Sequence, residues 1–112
     1  MPQAEAHAAN PAPVFAALGD QTRLSLLRTL SDGRRRSITA LSAGTNLTRQ
    51  AVTKHLRVLE DAGLVSSSHV GRESHFAFRP EPIVAIRSYL DEVSAQWDDA
   101  LARLQAYVEG NG

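Results

Sequence analysis

Residues 48–59 read TRQAVTKHLRVL, a stretch without any acidic side chain. On a helix, five of its polar residues would share one stripe because they recur at helical spacing. The members of that stripe are Arg49, Gln50, Thr53, Lys54 and Arg57. Glutamine can form two hydrogen bonds with adenine and arginine two with guanine. Threonine suits a phosphate or thymine, and lysine suits a phosphate. The stripe therefore predicts a DNA-reading surface, with a plain solvated helix face as the alternative.

Both ends of this reading helix can be placed from the sequence. Thr48 is predicted as its N-cap, where it could also contact a phosphate, and the helix N-terminus itself favours an anion. Leu47 and Val52 have the spacing of a hydrophobic staple across that cap. At the other end Gly63 is predicted as the residue after the C-cap, with Leu64 packing back on the helix.

A second short helix is predicted directly before the reading helix. Ser37 or Thr39 can cap it, and Asn46 suits a tight turn because asparagine tolerates a left-handed backbone. Two short helices joined by such a turn predict a helix-turn-helix.

Two further helices are predicted upstream. Residues 13–20 form the first, with Phe15 and Leu18 on one face. Asp20 then caps a helix that runs to the region of Asp32 and Gly33, with an apolar side at Leu24, Leu27 and Leu30. Arg34, Arg35 and Arg36 follow in a connector, where they either steer DNA or remain solvated.

The segment after the reading helix predicts a β-hairpin. Residues 65–70 and 73–79 are the strands, Gly71-Arg72 is the turn, and Phe76 and Phe78 lie on the buried face. His69 and Arg72, at the tip, are predicted to contact the DNA backbone or minor groove. The alternative is an ordinary exposed turn.

The last helix is predicted over residues 82–108 with one long apolar stripe. A small domain cannot easily cover a stripe of roughly 40 Å, at 1.5 Å per residue, and an exposed apolar surface of that size usually marks an interface. We therefore expect a homodimer, although the stripe could instead pack wholly on its own domain. The predicted interface residues are Phe15, Leu18, Ile86, Leu90, Val93, Trp97, Leu101 and Leu104.

The 112 residues suffice for one domain, which we place at residues 13–109 after a disordered tail at 1–12. The chain has no net charge, yet residues 20–79 hold ten Arg and Lys against five acids, and residues 80–112 hold two Arg against six. That asymmetry favours a polyanion partner for the middle of the chain.

The absence of cysteine excludes disulfides and is compatible with the cytoplasm. We find neither a signal peptide nor a membrane-spanning run.

The order of elements is α-α-α-α-β-β-α: a mainly α winged helix-turn-helix with a small β-hairpin. The sequence resembles the ArsR family of winged-helix repressors in LGDQTRLSLLRTL (18–30), LTRQAVTKHLRVLEDAGLV (47–65) and GRESHFAFRPEPI (71–83). The resemblance implies a homodimer, paired through the first and last helices, that binds a palindromic operator and represses transcription. It also implies that residues 48–57 recognise the DNA.

The chain departs from the family's metal sensors. The first helix of the helix-turn-helix has no thiol, and the last helix offers Asp91, Glu92, Asp98 and Asp99 but no histidine. Borderline divalent metals favour imidazole or thiolate ligands, so we expect no sensor metal and no cofactor. His55 is expected to pack or to touch a phosphate. The inducing signal remains open between a small organic effector in the dimer cleft and no effector at all.

Three other functions compete with DNA binding. An enzyme is not expected, because the sequence has no nucleophile–base pair, glycine-rich phosphate loop or H-E-x-x-H motif. An RNA reader would usually present aromatic stacking residues, and the predicted reading face has none. A winged helix that serves as a protein–protein interaction or dimerisation module is the main alternative, and its exposed face should be apolar or acidic.

Overall fold

The computed structural model describes residues 10–110. Most of the predicted tail, residues 1–9, lies outside them, and Ala12 already belongs to the first helix. The elements are α1 (Ala12–Leu18), α2 (Gln21–Leu30), β1 (Arg36–Ser37), α3 (Ile38–Ala43), α4 (Arg49–Asp61), β2 (Val65–Val70), β3 (Glu73–Phe78) and α5 (Glu81–Gly110).

The hydrophobic core lies between helices α1 to α4 and one face of the sheet. Its largest fully buried side chains come from α2, α4 and the segment just after α4: Leu30, Val52, Leu56, Leu59 and Leu64. The same cluster contains Ala17, Leu26, Leu27, Leu41, Val65 and Phe76. Because α4 buries one apolar face here, its opposite face must point to solvent.

Three helix N-termini have the predicted caps. The side chain of Asp20 accepts from the N–H of Arg23, Ser37 from Ala40, and Thr48 from Ala51. Each bond satisfies an N–H that the helix itself leaves without a partner. The bond from Arg23 also lowers the pKa of Asp20, since it stabilises the carboxylate.

The sheet has a strand that the sequence did not predict. Its order is β1-β3-β2, all antiparallel, so the short β1 joins the predicted hairpin on the outer edge of β3. With only two residues, β1 has no alternating pattern of its own. Pairing with β3 holds it in place, with Arg36 opposite Phe76.

Two local expectations were wrong. Leu24 is 46% exposed, and the buried side of α2 is formed by Leu26, Leu27 and Leu30. Asn46 does not adopt a left-handed backbone, because only glycines have positive φ within residues 10–110. Instead the Thr45 hydroxyl holds the turn: it donates to the Ser42 carbonyl at 3.0 Å and accepts from the Leu47 N–H at 3.1 Å.

The last helix, α5, extends well away from the core. The radius of gyration is 19.0 Å, against about 13 Å for a compact chain of 100 residues. From Ser94 onward every residue of α5 is exposed. Within residues 10–110 no helix has the length and apolarity needed to cross a membrane.

The C-terminal end of α4 has the predicted Schellman motif. The N–H of Leu64 donates to the Leu59 carbonyl at 2.9 Å, and the N–H of Gly63 donates to Glu60 at 2.9 Å. Gly63 has a φ of +77°, a left-handed conformation that favours glycine. A Cβ there would lie 3.5 Å from Pro82 Cγ, an ordinary contact. Glycine is therefore required by the backbone conformation and not by lack of space.

We expect Gly63→Ala to lower the free energy of unfolding by about 1–2 kcal/mol, the strain of a left-handed L-residue. Gly44→Ala is the matched control, because Gly44 caps α3 at an ordinary φ of −84°. It should raise stability by about 0.4–1 kcal/mol through the unfolded chain. Urea unfolding at one fixed protein concentration measures both. Equal changes in the two variants would contradict the role given to Gly63.

Candidate nucleic-acid interface

The candidate interface begins with the exposed face of α4. Val52, Leu56 and Leu59 have no exposed surface, so the rotation of α4 about its axis is fixed by the core. That rotation leaves Arg49, Gln50, Lys54 and Arg57 exposed and Thr53 half-buried. Four of the predicted residues line one shallow concavity: Arg49, Gln50, Thr53 and Lys54.

The cations on this face are not paired with acids. Among residues 10–110, the ion pairs are Asp32–Arg36 and Glu81–Arg79, and the carboxylates of Asp20 and Glu73 lie close to His55 and His75. None of them involves Arg49, Lys54 or Arg57. The exposed face of α4 therefore has a positive charge that no acid among residues 10–110 pairs with. Arg49 also lies in the first turn, where the helix dipole adds partial positive charge.

The hydroxyl groups of two threonines, the N-cap Thr48 and Thr53 in the second turn of α4, already form hydrogen bonds within the helix. The Thr48 hydroxyl oxygen accepts from Ala51 N–H at 3.1 Å, so its own O–H is free to donate. The Thr53 hydroxyl donates to the Arg49 carbonyl at 2.7 Å. Thr53 is thus left with its methyl group and its acceptor lone pairs for an outside contact.

The β2–β3 hairpin forms the wing beside α4. Its turn consists of Gly71 and Arg72, and Gly71 has a φ of +64°, as expected where glycine comes first in a type II′ turn. Arg72 and His69 are exposed at this tip. A feature missed in the sequence fixes the wing: the Ser67 hydroxyl donates to the Glu60 carboxylate at 2.5 Å. This bond ties β2 to the last turn of α4.

The basic run at 34–36 lies away from the wing tip. Ser37 is opposite His75 and Arg36 is opposite Phe76, so residues 34 and 35 lie toward the end of β3 that is farther from the turn.

Arg36 forms a two-bond fork with Asp32, at 2.9 and 2.8 Å, and also donates to the Thr29 carbonyl. These bonds hold the pKa of Asp32 well below its usual range. Arg36 therefore has a structural role, whereas Arg34 and Arg35 are solvated.

Comparison with known proteins agrees with this architecture. Residues 18–67 match the family model of a helix-turn-helix domain. YuzN of Bacillus subtilis, named an uncharacterized HTH-type transcriptional regulator, is 40% identical over 80 residues, which is 66% of this chain and 87% of that protein. An ArsR-like transcriptional regulator from Rhodococcus sp. RHA1 superposes with a TM-score of 0.71 at 37% identity, covering 84% of this chain and 88% of that one.

A second solved structure, of an ArsR family transcriptional regulator, gives a TM-score of 0.72 at 30% identity, over 78% of this chain and 89% of that one. The chain belongs to the ArsR family. It is a winged helix-turn-helix transcriptional regulator, and both the predicted fold class and the predicted family are confirmed.

In this ArsR-family chain, the residues predicted for the dimer interface fall into two groups. Four of them are exposed: Leu90, Trp97, Leu101 and Leu104. The others already pack within the chain to some degree: Phe15 meets Tyr89 edge-on at 6.0 Å, Leu18 packs against the core, and Val93 is half-buried. Ile86 is only 6% exposed, so we no longer include it in the interface.

His55 is held within the protein. Its Nδ1 lies 3.2 Å from Arg23 Nη1 and 3.8 Å from Asp20 Oδ2. Sequence reasoning could not find these partners, because they lie more than 30 residues away, at the N-cap and in the first turn of α2. Within the described range, no group of three or more possible metal ligands comes together.

Proposed function

We propose that the chain acts as a homodimeric repressor, with one α4 helix in the major groove at each half of a palindromic operator. The observation that supports this most is the exposed face of α4, where the amide of Gln50 lies among three cations that pair with no acid within residues 10–110. A helix with this face fits a major groove and finds there both phosphates and base edges. Repression rests on the family to which the chain belongs.

The roles of the α4 residues follow from their free groups. Gln50 and Arg49, in the first turn, reach furthest toward base edges. Gln50 is suited to adenine and Arg49 to guanine. Thr48 donates its free O–H to a phosphate. Thr53 has its O–H engaged in the helix and offers its methyl group to thymine. Lys54 and Arg57 neutralise backbone phosphates on either side of the groove.

The wing supplies the outer contacts. Arg72 and His69 project at the tip of the hairpin, and neither makes a side-chain hydrogen bond within residues 10–110. We assign them to the backbone or the minor groove beside the site read by α4. The Ser67–Glu60 bond keeps this tip at a fixed distance from α4.

The dimer forms through α5. Trp97 is 64% exposed and Leu101 and Leu104 are each 58% exposed on one side of a helix that its own domain leaves uncovered. Such a continuous apolar surface is stabilised when a second copy covers it. The two-fold axis of the pair then requires half-sites about one or two helical turns apart.

Control of the repressor does not need a sensor metal under this proposal. The cysteine-free sequence and the exposed acids of α5 offer poor ligands for zinc-like ions. A small organic effector in the dimer cleft, or control by the protein's own concentration, takes the place of the metal.

Fluorescence anisotropy on the duplex upstream of its own gene tests the function directly. The control is a scrambled duplex of equal length, across a salt series, with and without divalent metals. We expect tight binding to the upstream duplex that falls steeply with salt and ignores metals. Equal, weak binding to both duplexes would favour a protein-interaction module instead.

We expect Gln50→Ala to weaken binding to the specific duplex by about 1–3 kcal/mol, the value of one good base contact. Binding to scrambled DNA should hardly change, because that binding depends on phosphates. Anisotropy titrations of both duplexes at one salt concentration give the two values. A loss of the same size on both would refute base reading by Gln50.

Lys54→Ala should weaken binding to both duplexes and reduce the slope of log K against log salt by about one. Arg103→Ala is the matched control, since it removes one exposed positive charge from α5, away from the proposed DNA face. The salt series of each variant provides the slope. An unchanged slope in Lys54→Ala would remove that lysine from the phosphate contacts.

We expect Leu90→Glu to dissociate the dimer, because pairing would bury its charge without a partner. Ala95→Glu adds the same charge to the opposite side of α5 and should leave the dimer intact. Sedimentation equilibrium measures the mass of each variant. A Leu90→Glu protein that is still dimeric would place the interface elsewhere.

A further inference from the structure

One arginine side chain joins three helices of this protein. Arg23, in the first turn of α2, donates from Nε to the Ala17 carbonyl at 2.6 Å and from Nη2 to the Ala16 carbonyl at 3.3 Å. Both carbonyls belong to the last turn of α1. On its remaining side, Nη1 lies 3.2 Å from Nδ1 of His55, a residue of the reading helix α4.

The chemistry of each contact is favourable. The last carbonyls of a helix have no partner within it and hold partial negative charge, so a cation there is stabilised. The planar guanidinium has five N–H donors in a fixed geometry and can bond two helices at once. Asp20 completes the group: it accepts from the backbone N–H of Arg23 and lies near the His55 ring.

The two helices joined in this way have different tasks. The α1 helix faces the dimer side of the molecule, where Phe15 packs edge-on against Tyr89 of α5. The α4 helix presents the DNA-reading face. Helices α1 and α4 also share the hydrophobic core, where Ala17 belongs to the same cluster as Leu56 and Leu59. Apolar packing of this kind is not directional and allows a small rotation. The bonds of Arg23 are directional and oppose that rotation.

We propose that Arg23, through His55, is a positioning residue that fixes the reading helix relative to the dimer axis and thereby sets the half-site spacing the repressor accepts. The inference rests on the proposed dimeric operator binding and adds to it a determinant of specificity that makes no contact with DNA. A rigid link makes the distance and angle between the two α4 helices of a dimer definite. A looser link lets them adapt to other spacings.

The test compares operators that differ only in spacing. A palindromic duplex is first selected from random DNA with the full-length protein, and one base pair is then inserted or deleted at its centre. Each such change shifts the half-sites by 3.4 Å along the axis and by about 35° around it. We expect the wild-type protein to bind the altered duplexes about tenfold more weakly, a loss comparable with that from one mismatched base pair.

In Arg23→Gln this spacing penalty should fall to about threefold or less, because the two reading helices can then adjust. Binding to scrambled DNA should stay at the wild-type level, since the cations of α4 are unchanged. Arg28→Gln is the matched control: Arg28 is an exposed cation of the same helix, and its side chain has no hydrogen-bond partner within residues 10–110. It should keep the full penalty.

Two substitutions of His55 separate positioning from simple stability. His55→Ala removes the acceptor on α4 but leaves the bonds of Arg23 to α1, and it should also reduce the penalty. His55→Asn can place an oxygen close to the position of Nδ1 and should restore selectivity. Sedimentation and thermal unfolding of each variant show whether the dimer remains folded, and His55→Ala serves as the test if Arg23→Gln unfolds.

The outcomes distinguish this inference from the proposed function. A full spacing penalty in folded, dimeric Arg23→Gln or His55→Ala would overturn the positioning role while leaving operator binding intact. If no palindromic duplex can be selected with the wild-type protein, the proposed function itself fails. The role assigned to Arg23 is supported if the spacing penalty is reduced in Arg23→Gln and His55→Ala but returns to the wild-type value in His55→Asn.

Discussion

The arrangement of α4, the β2–β3 hairpin and the entry to α5 depends on how Leu64 is buried. Its side chain has no exposed surface. Its N–H donates to the Leu59 carbonyl at the end of α4, and its carbonyl accepts from the N–H of Arg79 at 2.8 Å. Both main-chain polar groups are therefore satisfied inside the protein, as buried groups must be. The same residue joins the end of the reading helix, the start of the wing and the segment that enters α5. Any shift of Leu64 would move all three together.

The fixed end of α4 explains why its two faces can differ so sharply. Because the apolar side chains of α4 are fully buried, the helix cannot rotate without exposing them to water. Glu60, which lies on the same helix, accepts a hydrogen bond from Ser67 instead. The structure thus keeps positive charge available on one surface although the chain as a whole is neutral.

The features that could be predicted from the sequence are mostly local ones. The caps at Asp20, Ser37 and Thr48 and the Schellman end at Gly63 depend on residues within a few positions of each other, so short patterns reveal them. The hairpin turn at Gly71-Arg72 is local in the same sense. The exposed stripe on α4 follows from helical periodicity once its ends are known.

The features that were missed depend on residues far apart in the chain. A two-residue strand such as β1 exists only because β3 offers a free edge, and no pattern of two residues can show that. The contact of Arg23 with His55 spans 32 positions. The fork between Arg36 and Asp32 gives Arg36 a structural role that was neither of the two alternatives, DNA steering or a solvated connector, left open from the sequence. Leu24 was misplaced because the buried side of α2 is set by its neighbours and not by its own spacing.

The separation of charge along the molecule has a consequence for the kinetics of target search. The reading face is basic, while α5 exposes Asp91, Glu92, Asp98 and Asp99. A neutral molecule with such a dipole is turned as it approaches a polyanion. Under the proposed function, collisions with DNA would then occur with the exposed face of α4 foremost and α5 pointing away. The same cations would keep the protein loosely associated with the phosphates while it slides. The lack of net charge meanwhile limits long-range attraction to other polyanions, so orientation rather than overall attraction guides the encounter.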